Sequence, residues 1–275
     1  MQKNILFLFL FFLVGITFAQ NNRLSSEAEI SVLTVGPGSS LNDAFGHSAF
    51  RIKDLSQGID SVYGYGEYDF DAPNFYLKFC QGKLNYLINK TTFSRFHEVY
   101  RYYNRSIKEQ VLNLSQSEKQ KLNDFLINNY KPENRRYLYE FFFDNCATKI
   151  KDVVNVITNN KVTYNAPKDF EDATFRTLIQ NELNRNSWGS FGIDLALGSV
   201  IDREASPYEH LFLPIYVYEQ MKHTTLNGNP VVKNETVLLD IPEQEDRSPL
   251  FLTPLFWLSI VLLLVCYITY TDYKN

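Results

Sequence analysis

Residues 29–35 (EISVLTV) form an almost unbroken apolar run of strand length, and residues 36–40 (GPGSS) end it with loop chemistry. Residues 45–52 and 61–68 read as the next two strands, joined by a turn at Gln57 and Gly58. Residues 74–79 fit a short helix and 84–88 a further strand. Phe93, Phe96, Val99, Tyr100 and Tyr103 then recur at helical spacing. Ser115 and Glu118 stand in capping-box register ahead of Leu122, Phe125 and Leu126. Residues 137–143 are aromatic and strand-like, and Ile150, Val153, Val154 and Ile157 make one face of a following helix. Helix is expected again over 175–183 and 208–221, and Asn227-Gly228 predicts a hairpin with Val231 and Val237 on its arms. This order predicts an α+β fold, a small antiparallel sheet with segregated helices.

The two ends carry different apolar runs. Lys3, the run over residues 5–14, and the small residues Thr17 and Ala19 form a secretory signal with cleavage expected before Gln20. Residues 250–270 hold no charge, and 21 residues at about 1.5 Å each span a bilayer core. Thr253 can cap this helix and Pro254 open it. Trp257 near one end and Tyr267 and Tyr270 near the other fit interfacial belts. The expected division is a signal at 1–19, one exported domain at 20–241, an acidic linker at 242–249, a transmembrane helix at 250–270 and a cytoplasmic tail at 271–275. The domain then lies outside and Lys274 inside.

The net charge of −4 argues against a nucleic-acid partner. Of three cysteines, Cys266 falls in the transmembrane run, leaving Cys80 and Cys146, either as one bridge or as free thiols. There is no His-Glu-x-x-His or Cys-x-x-Cys pattern, so no metal is expected, and no Gly-x-Ser-x-Gly elbow for a serine nucleophile; no cofactor is expected.

Two segments could carry chemistry. In FGHSAFRI (residues 45–52), His47 enters a strand directly after a glycine, which lets another backbone or a ligand approach. In FDNCAT (residues 143–148), Cys146 opens a helix that Asp144 or Asn145 can cap. A thiol there faces unpaired N–H groups and the positive end of the helix dipole, which predicts a depressed pKa. The same N–H groups suit an oxyanion. A hairpin symmetric about Gln57 sets Glu67 across from His47 as the group orienting the imidazole, a register that one residue would break. Against these stand plainer readings: a packed cysteine, a structural histidine, and ordinary roles for His97, His210 and His223. Arg51, Arg135 and Arg136 read as solvated charge, with contact to an anionic head group as the alternative.

A histidine 99 residues ahead of a helix-start cysteine resembles the circularly permuted NlpC-type papain-like enzymes. FGHSAFR (45–51), FYLKF (75–79), GKLNY (82–86), YLY (137–139), DNCAT (144–148), FGIDL (191–195), Leu197-Gly198 and FLP (212–214) resemble, within that group, the periplasmic domain of the Lnb-type lipoprotein N-acyltransferases. The resemblance implies a Cys146–His47 thiol mechanism. An acyl chain would pass from phospholipid, through a thioester, to the N-terminal amine of a diacylated lipoprotein. It also implies a periplasmic domain on the inner membrane, with phospholipid and lipoproteins as partners. Several transmembrane helices normally follow that domain and one follows here, so either a record cut short or a reduced member is expected. A Cys–His envelope hydrolase (amidase or peptidase) and a non-enzymatic envelope module are the other readings.

Overall fold

The computed structural model describes residues 23–41, 43–68, 73–74, 78, 85–242 and 249–274. The expected signal and its cleavage point, the helix at 74–79 and most of the linker fall outside these residues.

Seven strands form one antiparallel sheet: β1 (Glu29–Val35), β2 (His47–Asp54), β3 (Ile59–Tyr68), β4 (Asn85–Thr92), β5 (Ile107–Leu112), β6 (Arg136–Leu138) and β7 (Val232–Leu239), in spatial order β7-β5-β1-β2-β3-β4-β6. The helices are α1 (Phe93–Tyr102), α2 (Gln116–Asn129), α3 (Cys146–Ile157), α4 (Phe175–Asn181), α5 (Trp188–Leu197), α6 (Pro214–Met221) and α7 (Pro254–Lys274). The mixed architecture agrees with the sequence, but the helices divide between both sheet faces. Ile30, Val32, Phe50 and Ile52 pack with α2, α3 and α6. Leu33, Val35, Ala49 and Val62 pack under Phe96 of α1. Burial on both sides explains why β1 reads as a continuous apolar run rather than an alternation.

The capping box of α2 is complete: Glu118 N–H reaches Ser115 Oγ at 3.3 Å and Ser115 N–H reaches Glu118 Oε2 at 2.8 Å. Several expectations change. The aromatic run at 137–143 is strand only over Arg136–Leu138 before it turns toward α3. The hairpin at Asn227-Gly228 pairs Thr225 with Pro230 and Leu226 with Asn229, whereas Val237 lies on β7. Neither β5 nor α5 was marked by periodicity. Mixed charge masks the first, and α5 is apolar nearly all round.

Arg51 is not solvated. It is buried on the α1 side, donates Nε and Nη2 to Asp60 at 2.7 and 2.8 Å and Nη1 to Glu109 at 3.1 Å, and stacks on Phe93. His210 is a core residue whose Nδ1 lies 2.9 Å from the carbonyl of Ser206.

A third cluster joins Phe175, Leu178, Ile179 and Phe212 with Phe141, Phe142, Ile193 and Leu197. It holds α4 and α5 against the segment leading into α3. The apolar C-terminal run opens with a 3-10 turn over Leu250–Leu252 and forms α7 from Pro254, the residue expected to open it. Thr253 caps α7, its Oγ1 accepting from Phe256 N–H at 3.4 Å, and Pro254 opens it.

Candidate functional site

Cys146 is the first residue of α3, and its thiol is free. Asn145, not Asp144, caps the helix. Its Oδ1 accepts from Ala147 N–H at 2.8 Å and Thr148 N–H at 2.9 Å, while Thr148 Oγ1 accepts from Asn145 N–H at 2.8 Å. The Asn145 amide donates to the carbonyls of Phe141 at 2.6 Å and Phe212 at 2.8 Å. The start of α3 is thereby pinned to the aromatic cluster beneath it. Asp144 pairs with Lys149 instead.

His47 is the first residue of β2, paired with Val35 of β1. The glycine before it is required. Gly46 has φ +76, and a Cβ there would lie 2.7 Å from the Val35 carbonyl oxygen. The ring lies over Gly64 of β3. A Cβ at Gly64 would stand 3.1 Å from His47 Nε2 and 3.1 Å from Asn89 Oδ1. Asn89, on β4, is itself held there by accepting from Gly64 N–H at 3.2 Å.

Glu67 does not face His47. The β2–β3 turn is a 3-10 turn over Leu55–Gln57 closed by Gly58 in a left-handed conformation, and Asp54 pairs with Ile59. Its centre is half a residue earlier than a turn symmetric about Gln57. Ala49 therefore pairs with Gly64, and the register carried back sets Gly66, not Glu67, opposite His47. Glu67 is exposed and follows a bulge against β4. Asn89, for which the sequence carries no signal, shares the space over Gly64 with the ring.

The start of β2 meets Cys146 through its backbone. The backbone N–H of Ser48, the residue after His47, faces the Cys146 sulfur, as do those of Ala147 and Cys146 itself. Among the described residues the imidazole makes no hydrogen bond, so none joins it to the thiol. Both side chains keep partial exposure within dense protein. Burial is the largest effect on Cys146 and pushes its pKa up; the three N–H groups and the Arg105 charge offset it only in part. The helix-start argument for a depressed thiol pKa is therefore outweighed by desolvation. His47 is lowered to about 4, first by burial and then by Arg105. At neutral pH the pair is thiol and neutral imidazole, not an ion pair.

Arg105 is the site residue that sequence reasoning missed. It is buried beyond the end of α1, donates Nε to the Gly36 carbonyl at 2.8 Å, stacks over Tyr100, and lies 3.8 Å from Asp43 Oδ2. Its Nη2 is buried without a partner. Its charge reaches both Cys146 and His47.

A small concavity of about 40 Å³ includes Gly36, Phe45 and Gly46. An open cleft of about 770 Å³ runs past Leu41, Leu183, Asn184 and Ile241. Neither is lined by His47 or Cys146, though both adjoin the loop that holds Arg105. Among the described residues no cluster of His, Cys, Asp and Glu could hold a metal.

An antiparallel sheet, a helix opening on a free cysteine and, among the described residues, one helix of membrane-crossing length define a mixed α/β domain with a candidate membrane span. Residues 18–181 match the model of the Lnb N-terminal periplasmic domain, and the chain belongs to that family. A family of periplasmic domains and, among the described residues, a single such helix are consistent with a single-pass membrane protein. A comparison with curated proteins gives no match. Among solved structures, the type VI secretion system effector TseH is similar at 16% identity and a TM-score of 0.35, over 52% of this chain and 83% of that one. A likeness that low carries no argument about fold or activity.

Proposed function

We propose that the chain is a membrane-anchored thiol acyltransferase of the periplasmic side of the inner membrane, with Cys146 as nucleophile and His47 as general base. It would move an acyl chain from phospholipid to the N-terminal amine of a diacylated lipoprotein, on a permuted papain-like arrangement of helix and sheet. The observation that carries this reading is a free Cys146 at an Asn145-capped helix start, faced by the N–H of Ser48, the residue after His47.

His47 takes the thiol proton as the sulfur attacks the ester carbonyl of the phospholipid. The C–S bond forms, the C–O bond breaks, and the departing lysophospholipid oxygen takes the proton back from the imidazolium. The lipoprotein amine then attacks the thioester, gives a proton to His47, and leaves the acyl group as an amide; the sulfur recovers that proton. The Cys146 N–H, which the Asn145 cap leaves free, suits the oxyanion of each tetrahedral intermediate. Burial, with the Arg105 charge adding to it, keeps His47 unprotonated, and Arg105 supports the developing negative charge on sulfur.

Intact-mass analysis of the full chain in phospholipid vesicles, with and without a diacylated lipopeptide, tests this. A hydroxylamine-sensitive acyl adduct on Cys146 should form and discharge onto the peptide amine. Discharge to water alone replaces the transferase with a Cys–His hydrolase. Absence of any adduct, with the chain folded, leaves a non-enzymatic envelope module.

A further inference from the structure

The outer face of α5 has no protein partner and no charge. Ser190, Ile193 and Leu197 turn inward, the latter two packing on the aromatic cluster. Trp188, Gly192, Leu195 and Ala196 point outward at helical spacing, with Trp188 51% and Leu195 68% exposed. Val200, in the turn after the helix, is 79% exposed and extends the strip. A water-facing surface would carry charge here. The only acidic residue of α5, Asp194, is turned sideways into an ion pair with Arg176.

This strip lies beside the entry of α7. Asn186 Oδ1 accepts from the Leu255 N–H at 3.3 Å, and Thr253 and Pro254 are buried. The helix of membrane-crossing composition thus starts docked against the loop that opens α5. Leu250, Phe251 and Leu252 at the same junction are all more than half exposed. Leu41, which lines the open cleft, reaches toward α5, since a Cβ on Gly189 would lie 3.0 Å from its Cδ1.

We propose that α5 lies in the plane of the bilayer interface, its Trp188–Leu195–Val200 strip and the Leu250–Leu252 turn seated among lipid acyl chains, so that the open cleft meets the membrane surface. The occupant is a lipid surface because the strip is continuous with the start of a spanning helix fixed against the same domain. A helix of 10 residues reaches about 15 Å from that anchor, so its far end stays at interfacial depth only if the helix lies flat. Had α5 risen away from the membrane, Leu195 and Val200 would leave a hydrophobic strip in water. This seating is separate from the acyl chemistry and rests on α7 as a membrane span.

The chain has two tryptophans, Trp188 and Trp257, so Trp257→Phe leaves one reporter on α5. A second protein combining Trp188→Phe, Trp257→Phe and Val200→Trp reports the far end. Each full-length chain is reconstituted into phosphatidylcholine–phosphatidylglycerol vesicles with and without brominated acyl chains. Blue-shifted emission and strong quenching by the brominated lipid are expected at both positions. Adding Leu195→Glu to the first reporter should reduce the quenching at Trp188 while the chain stays in the vesicles. Emission typical of water with no quenching at either position overturns the seating, and so does quenching at position 188 with none at position 200. Release of the chain from vesicles by alkaline extraction overturns the span and the seating with it. Retention with an unquenched Trp188 overturns the seating alone.

Discussion

Replacing Asn145 by alanine isolates the element on which the site is built. The side chain accepts from two N–H groups of the first turn of α3 and donates to two carbonyls, Phe141 and Phe212, in the cluster below. Losing an N-cap side chain costs about 1 kcal/mol. Two buried carbonyls left without donors add about 1 kcal/mol each at the low end of the range. Asn145 is buried, so water does not readily replace its bonds. The total is roughly 2–4 kcal/mol, which lowers the melting temperature of a domain this size by on the order of 5–15 °C. Thermal unfolding of the full chain in detergent measures it. Alkylation of Cys146 should also slow, because the first turn of α3, which presents the sulfur, is no longer fixed. Asn145→Asp keeps the cap acceptor, loses both donors, and sets a negative charge beside the thiol. It should keep part of the stability yet slow alkylation further. A melting point for Asn145→Ala within about 2 °C of the parent would refute the claim that this residue fixes the start of α3.

The Cys146 thiol should react slowly with iodoacetamide at neutral pH and speed up only above the usual thiol range, since burial raises its pKa; fast labelling at mildly acidic pH would contradict the geometry. Acyl transfer that needs neutral His47 should hold its activity down to about pH 4, because protonation is required to disable the base and the folded-state pKa lies there rather than near the ordinary imidazole value. Arg105→Met should move the His47 titration, followed by NMR, upward from about 4, as one of its two lowering causes is removed. Gly64→Ala puts a methyl 3.1 Å from both His47 Nε2 and Asn89 Oδ1 and should lower transfer roughly 10–100-fold with little change in melting temperature, an unchanged rate arguing against this placement of the ring. Arg51→Ala leaves Asp60 and Glu109 without their shared cation and should cost about 3–5 kcal/mol in urea unfolding while leaving the Cys146 alkylation profile of the folded fraction unchanged.

Local patterns settled whatever depends on near neighbours. The apolar run of β1, the capping box at Ser115 and Glu118, the Thr253-Pro254 start of the membrane-length helix, and the placement of Cys146 at a helix start are each written within a few consecutive residues. The glycine before His47 announced a close backbone approach, and the Val35 carbonyl is the backbone that comes close. Register was not written there. A turn of four residues instead of five moved Glu67 off the site, because strand side chains alternate and a half-residue shift in the turn centre changes which residue stands opposite. Nothing local marked Asn89 or Arg105. One is brought beside His47 by strand pairing across β3, the other by the return of the chain after α1. Nor could the helix-start argument weigh the thiol. A dipole and a few N–H groups are local, whereas the desolvation that overrides them is the sum of everything packed around Cys146, and that sum exists only once the sheet, α1 and α3 have closed on one another.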